Sequence, residues 1–207
     1  FSNWSDSARD AFFERFKRSC EKAKVFDARY IVVHPVVSST EQPRENSSLA
    51  LAMPNSLIIW RQLAETASGF DLDVAFENLG ISPQWPTGCS LGTVMEIVDA
   101  VQMENVGICL DFSHCFALGH DVIEVIRGYG MEKTLGIHAS DGIYADLADQ
   151  HLIPGLGELD WVAAFDALKE QAFGGHVNLE VKDLAKAPEA IKAVFDLLSG
   201  AYEKALS

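Results

Sequence analysis

The chain has 207 residues, of which 48% are hydrophobic, and its 16 basic and 30 acidic side chains leave a formal net charge of -14 at pH 7. This length and composition fit one domain with a substantial core and exclude a disordered or fibrous chain. The negative charge offers no general attraction for phosphate backbones, so a nucleic-acid partner is disfavoured.

Short apolar runs alternate with longer amphipathic segments, a pattern typical of parallel β/α units. We predict strands at residues 30–33, 74–76, 106–110, 135–137 and 177–179. Helices are predicted at residues 7–24, 63–67, 91–101 and 122–128, with two more starting near 160 and 188. Ser7 and Asp10 are expected to cap the first helix, and Pro54 to kink or break the second.

Each predicted strand ends at a polar, ionisable residue. In chain order these residues are His34, Glu77, Asp111, His138 and Glu180. Because ligand sites of parallel α/β sheets lie at the carboxyl ends of the strands, we expect these side chains to meet. Carboxylates crowded into a half-buried site repel one another unless a cation lies between them. Imidazole and carboxylate without thiolate suit Zn²⁺, Mn²⁺, Co²⁺ or Mg²⁺, so the pattern predicts a divalent metal site.

Three further residues lie close to these strand ends in the sequence. His114 follows Asp111 by three positions, and Asp149 and His151 fall in the predicted loop after the fourth strand. A D-x-H spacing in an extended segment sends both side chains to the same side. A helix cap or a solvated loop would explain any one of these positions, and only their shared location favours a site. We find no P-loop, dinucleotide fingerprint or serine nucleophile elbow, and covalent cysteine catalysis is not expected.

The order of these motifs resembles that of a known family. The segments that carry the likeness are IVVHP, VAFENLG, GICLDFSHCFALGHD, GIHASDG with DQHLIPGLGELDW, and VNLEV. They are similar to the xylose-isomerase-like TIM barrels, which join sugar and sugar-phosphate isomerases and epimerases to endonuclease IV (AP endonuclease family 2). The resemblance implies a (β/α)8 barrel, represented here by about its last five βα units. The family's first three strands have no counterpart, so we expect residues 1–207 to form one N-terminally incomplete barrel domain.

The resemblance also implies roles for the strand-end residues. Those that match the four ligands of the isomerase/epimerase metal are Glu77, Asp111, His138 and Glu180. Those that match additional positions of the nuclease site, and also occur in isomerase-like members, are His34, His114, Asp149 and His151.

The leading hypothesis is isomerisation or epimerisation of a small sugar, sugar phosphate or polyol. A divalent ion would polarise the substrate carbonyl, while Glu77 and Glu180 would transfer the proton as base and acid. His114 would contact substrate in this hypothesis. We therefore expect a metal-dependent enzyme with a small carbohydrate as its partner, and the oligomeric state stays open, a homo-oligomer included.

The alternative is hydrolysis of abasic DNA by a cluster of three Zn²⁺, in which His114 would be a metal ligand. The net charge of -14 and the PGLGELDW segment, closer to the isomerase branch, count against it. A non-catalytic barrel is a third hypothesis, against which the complete ligand set counts. The four cysteines include no CxxC pair, and with no signal peptide or membrane-spanning run we predict a cytoplasmic protein without a membrane partner.

Overall fold

The computed structural model describes residues 5–35, 48–80, 89–182 and 188–206. Five parallel strands form one sheet in the order β1-β2-β3-β4-β5. The strands are β1 (Tyr30–Val33), β2 (Asp73–Glu77), β3 (Val106–Asp111), β4 (Thr134–Ala139) and β5 (His176–Leu179). The helices are α1 (Asp6–Val25), α2 (Ser48–Ser68), α3 (Leu91–Val101), α4 (Phe112–Ala117), α5 (Val122–Tyr129), α6 (Trp161–Glu170) and α7 (Pro188–Leu206). All five strands and the β/α alternation are as predicted from the sequence.

The core lies between the sheet and the helices that connect its strands. All six residues of β3 are buried, which explains its continuous apolar run, because a central parallel strand is covered on both faces. Trp60 of α2 packs edge-on against Phe76 of β2 with ring centroids 6.1 Å apart. Among the described helices, none is both long and apolar enough to cross a membrane.

Two local predictions are corrected by the structure, and one helix was not predicted. The N-cap of α1 is Ser5 rather than Ser7, and its hydroxyl accepts a hydrogen bond from the Ala8 amide at 3.3 Å. The predicted break at Pro54 is wrong, because helix α2 continues from Ser48 to Ser68; a proline removes only one main-chain hydrogen bond, a loss that a helix of 21 residues tolerates. Helix α4 was not predicted, since six residues are too few to show a helical period.

The sheet is strongly curved. Tyr30 of β1 reaches across its inner face to β5, where the Asn178 amide donates a hydrogen bond to the Tyr30 hydroxyl at 3.3 Å. Tyr30 passes directly over Gly136 of β4, where an added Cβ would collide with the Tyr30 hydroxyl. Glycine at this position allows the close approach that joins the first and fifth strands.

Candidate metal centre

The carboxyl ends of the strands bring their polar residues together. Glu77 and Asp111 are the last residues of β2 and β3, and His138 is the last but one of β4. His34 and Glu180 directly follow β1 and β5. One ligand atom from each of Glu77, Asp111, His138 and Glu180 lies within 4.8 Å of all the others.

His138 stands at the centre of this group. Its Nδ1 atom lies 2.7 Å from Oε1 of Glu77 and 2.6 Å from Oε2 of Glu180. Oδ2 of Asp111 is 3.9 Å from the same nitrogen. Glu77 and Asp111 are buried, with 2% and 0% of their surface exposed, whereas the Glu180 side chain is 50% exposed. The group therefore has a buried side and an open side.

Asp111 shows that the group fits a cation. Its Oδ2 atom is buried and has no hydrogen-bond partner among the described residues, and it is directed toward His138. An unpaired buried carboxylate oxygen is costly unless a positive charge completes it. Three carboxylates and one imidazole also form a ligand set that suits Zn²⁺ and Mn²⁺.

The pKa values of these groups reflect the crowding of charge. Burial raises the pKa of Glu77, but hydrogen bonds from His138 and His34 outweigh it and lower that pKa to about 2. Burial raises the pKa of Asp111 to about 6, against the opposing effect of nearby histidines. Burial lowers the pKa of His138, yet its hydrogen bond to Glu77 and the surrounding carboxylates raise it above the usual value. The site thus attracts positive charge, whether protons or a metal ion.

His34 closes the side of the group next to β1. Its Nε2 atom lies 2.8 Å from Oε2 of Glu77, the oxygen that His138 does not contact. This hydrogen bond raises the pKa of His34 above its usual value. The two oxygens of Glu77 are therefore each held by a different imidazole.

A second group lies beside the first and includes the other predicted site residues. Ligand atoms of Asp111, His114 and His151 lie within 4.8 Å of one another. Oδ1 of Asp149 is 2.9 Å from Nε2 of His151 and 3.8 Å from Nε2 of His114. The predicted extended D-x-H segment is wrong, because His151 has a left-handed backbone with φ of +47°. Contacts from elsewhere in the chain, rather than strand geometry, hold this pair together.

Two of those contacts involve residues that the sequence did not single out. The Ser113 hydroxyl donates to Oδ1 of Asp149 at 2.9 Å and accepts from the His151 amide at 2.9 Å. The Lys182 ammonium lies 3.3 Å from Oδ2 of Asp149 and also contacts the Asp149 carbonyl oxygen. Lys182 lies two residues after Glu180, and this closeness in the sequence could have indicated its place in the site.

His114 lies in helix α4 rather than in the loop expected after β3. Asp111 is the N-cap of this helix, and its Oδ1 atom accepts the His114 amide at 2.8 Å. One oxygen of Asp111 therefore starts a helix while the other faces the site. This dual use explains why a buried strand passes into a helix without a turn.

Asp141 organises the loop between β4 and α6. This carboxylate is completely buried and accepts hydrogen bonds from the Gly142, Gly155 and Leu159 amides at 3.0, 2.8 and 3.0 Å. The indole nitrogen of Trp161 donates a fourth at 3.2 Å. The same loop carries the second histidine–carboxylate pair, so Asp141 supports the site indirectly.

Cys109 lies beneath the first group, with its sulfur within 4.8 Å of ligand atoms of Glu77 and His138. Burial and the nearby carboxylates raise the pKa of its thiol. A protonated, buried thiol is a weak ligand and a weak nucleophile.

A known protein family matches almost the whole chain. Residues 1–199 match the family described as the xylose isomerase-like TIM barrel. The chain belongs to this family. The resemblance and the fold class predicted from the motifs are therefore confirmed.

The relatives and neighbours extend this result. The inosose isomerase of Halalkalibacterium halodurans is 28% identical over 206 residues, which are 95% of this chain and 70% of that protein. The crystal structure of IOLI protein with a bound zinc atom has a TM-score of 0.76 and 26% identity, covering 98% of this chain and 73% of that one. A D-tagatose 3-epimerase-like protein shares the fold, with a TM-score of 0.74, 20% identity and coverage of 96% and 73%.

Proposed function

We propose that this chain carries the metal-binding and proton-transfer residues of a divalent-metal-dependent sugar isomerase or epimerase. The observation that carries the proposal is the convergence of Glu77, Asp111, His138 and Glu180 within 4.8 Å. Similarity to an inosose isomerase and to sugar epimerase-like structures supports the reaction class. A small carbohydrate is the corresponding substrate.

The four convergent residues are the proposed metal ligands. The unpaired Oδ2 of Asp111 supports this assignment, and so does the zinc in the similar IOLI structure. When bound, the ion supplies Lewis-acid polarisation of a substrate carbonyl and so acidifies the neighbouring C–H bond. Mn²⁺, Co²⁺ and Mg²⁺ remain alternatives to Zn²⁺ for this ligand set.

Proton transfer is assigned to the two glutamates. Glu180 takes the proton from the carbon next to the carbonyl, because its side chain is 50% exposed and faces the open side of the site. Glu77 is held on the buried side by hydrogen bonds from His34 and His138, and it would return to the substrate a proton that it takes from His34. Two carboxyl groups on separate strands thus serve two positions of the substrate.

The second group is proposed to orient the substrate. His114, Asp149 and His151 offer hydrogen-bond donors and acceptors beside the metal ligands, and these suit the hydroxyl groups of a sugar or cyclic polyol. Ser113 binds Oδ1 of Asp149, the oxygen that also faces the two histidines, and Lys182 binds Oδ2. The polar network therefore contacts the part of the substrate that does not react.

Solvent exchange tests this proposal in the full-length protein. Sugars, sugar phosphates and inososes are incubated in D₂O with Zn²⁺ or Mn²⁺, and deuterium at the carbon next to the carbonyl is followed by NMR. We expect metal-dependent exchange and product formation that a chelator abolishes and added metal restores. Absence of exchange with every class of sugar in metal-loaded protein would contradict the proposal.

Abasic-site hydrolysis is the second candidate, and the group formed by Asp111, His114 and His151 favours it because it could hold a further Zn²⁺. Metal analysis of the full-length protein separates the two functions. About one ion per chain with sugar turnover supports the isomerase, and about three zinc ions with nicking of abasic duplex supports the nuclease.

A further inference from the structure

Asn78 joins the ends of β2 and β3 at the site. It is completely buried and directly follows Glu77. Its side-chain amide donates to the Asp111 carbonyl oxygen at 2.9 Å, and its side-chain oxygen accepts the Asp111 amide at 2.7 Å. One side chain therefore binds both polar groups of the Asp111 main chain.

This double contact continues the hydrogen bonding between β2 and β3 beyond their last main-chain pair. The paired register of β2 and β3 ends at Glu77 and Cys109, so Asp111, although it pairs with His138 of β4, lies beyond the last main-chain pairing with β2. The Asn78 amide replaces the missing strand partner and fixes the main chain of Asp111 where it leaves β3. Oδ1 of Asp111 accepts the hydrogen bond that caps helix α4. The carboxylate is therefore fixed with its other oxygen, Oδ2, directed toward the site.

Asn78 also sets the orientation of His114. Its main-chain carbonyl oxygen lies 2.6 Å from Nδ1 of His114. A carbonyl oxygen only accepts hydrogen bonds, so Nδ1 carries a proton, and in the neutral ring Nε2 presents its lone pair to the site. Nε2 lies 3.8 Å from Oδ1 of Asp149, which is beyond hydrogen-bond distance.

We propose that Asn78 is a positioning residue that orients the carboxylate of Asp111 and determines the tautomer of His114. The assignment rests on the proposed function in taking Asp111 as a metal ligand. Residues that orient metal ligands through hydrogen bonds typically change metal affinity by about 10- to 100-fold when they are replaced. Asn78 acts through the main chain of the ligand rather than through its carboxylate.

Asn105 supplies a matched control at the other end of β3. Its side-chain amide also binds main-chain groups, the carbonyl oxygens of Ala64 and Leu72, at 2.9 and 3.3 Å. It precedes β3 and so lies about 20 Å from Asp111 along an extended strand of six residues. Loss of the Asn105 hydrogen bonds should lower the stability of the fold and leave the site unchanged.

The experiment compares Asn78→Asp and Asn105→Asp in the full-length protein. Asn78→Asp keeps the acceptor for the Asp111 amide and replaces the donor by an oxygen that repels the Asp111 carbonyl. We expect Zn²⁺ affinity to fall about tenfold or more for Asn78→Asp and to stay within about twofold of wild type for Asn105→Asp. The visible spectrum of the Co²⁺-loaded protein should change in the first variant alone.

Two results would overturn the inference. One is Zn²⁺ affinity for Asn78→Asp equal to that of wild type or of Asn105→Asp. The other, which needs no variant, is a metal-free wild-type protein in which ¹⁵N NMR finds the proton of His114 on Nε2. A wild-type protein that binds no Zn²⁺, Mn²⁺ or Co²⁺ would instead contradict the proposed metal site, while the tautomer of His114 would still test Asn78.

Discussion

His151 is bound to the main chain of Glu180, with its Nδ1 atom 3.1 Å from the Glu180 carbonyl oxygen. The Lys182 amide returns a hydrogen bond to the His151 carbonyl at 3.2 Å. These contacts tie the loop after β4 to the end of β5. The proposed proton-transfer residue and the proposed substrate-orienting pair are therefore joined through the main chain.

Loss of the His151–Asp149 pair should show in the pH dependence of stability. Burial lowers the pKa of His151, but its hydrogen bond to Asp149 and nearby carboxylates raise it to about 9. Its folded pKa thus exceeds the unfolded value of about 6.5, so the stabilisation is full below pH 6.5 and lost as pH rises through about 9. In metal-free protein, we expect His151→Gln to lower the free energy of unfolding by about 1–3 kcal/mol at pH 6 and by little at pH 10.

Urea denaturation at several pH values, with His120→Gln as a control outside the site, checks this. A difference between wild type and His151→Gln that grows with pH would contradict the assigned ion pair.

Asp111→Asn should stabilise the metal-free protein at neutral pH. Burial raises the pKa of Asp111 from 3.8 to about 6, so ionising it destabilises the folded state above pH 6 and has no such effect below about pH 4. We expect the variant to be more stable by about 1–3 kcal/mol at pH 7.5. The difference should vanish near pH 4, and metal affinity should be lost at every pH. Denaturation with a chelator present measures the first effect, and a metal-free wild type that is the more stable protein at pH 7.5 would contradict it.

Glu180→Gln should remove turnover while the fold remains. A positioned acid or base contributes about 10²- to 10⁴-fold to the rate, and we expect a loss in that range for both product formation and deuterium exchange. Glu170→Gln is the matched control, because Glu170 forms a surface ion pair with Arg127 at 2.8 Å. Metal content is measured in both variants, and full turnover by metal-loaded Glu180→Gln would refute the assigned proton transfer.

Asp141→Ala should be strongly destabilising. The change leaves three main-chain amides and one indole without their acceptor, and each buried unpaired donor costs about 1–3 kcal/mol. We expect a loss of at least about 3 kcal/mol, against about 1 kcal/mol for Asp160→Ala, which removes the cap of α6. Thermal unfolding of both variants measures the contrast, and equal losses would show that Asp141 does not organise the loop.

The strand ends of the site could be predicted because their signal is local. An apolar run such as residues 106–110 is typical of a buried parallel strand. The first ionisable residue after it lies at the carboxyl end of that strand, where ligand sites form. The structure places Asp111 and His138 opposite each other in the register of β3 and β4. Five such ends in one chain predicted the group, and the resemblance of the longer motifs around them predicted the family.

The contacts that orient the site could not be predicted in this way. The Asn78 amide meets Asp111 across 33 residues, and the Ser113 hydroxyl meets Asp149 across 36. Both depend on side-chain directions that the packing of α4 and the loop decides. No local pattern of polarity distinguishes such residues from ordinary polar residues at strand ends.

The hydrogen bond between Tyr30 and Asn178 has a geometric consequence for the chemistry. Five flat strands about 4.8 Å apart would spread their first and last ends over about 19 Å, too far for one ion to serve them all. Because Gly136 lets Tyr30 draw β1 toward β5, the strand ends lie on an arc and their side chains point to its centre. The curvature of the sheet, which depends on a glycine in the middle of β4, thus decides how closely the ligand side chains converge.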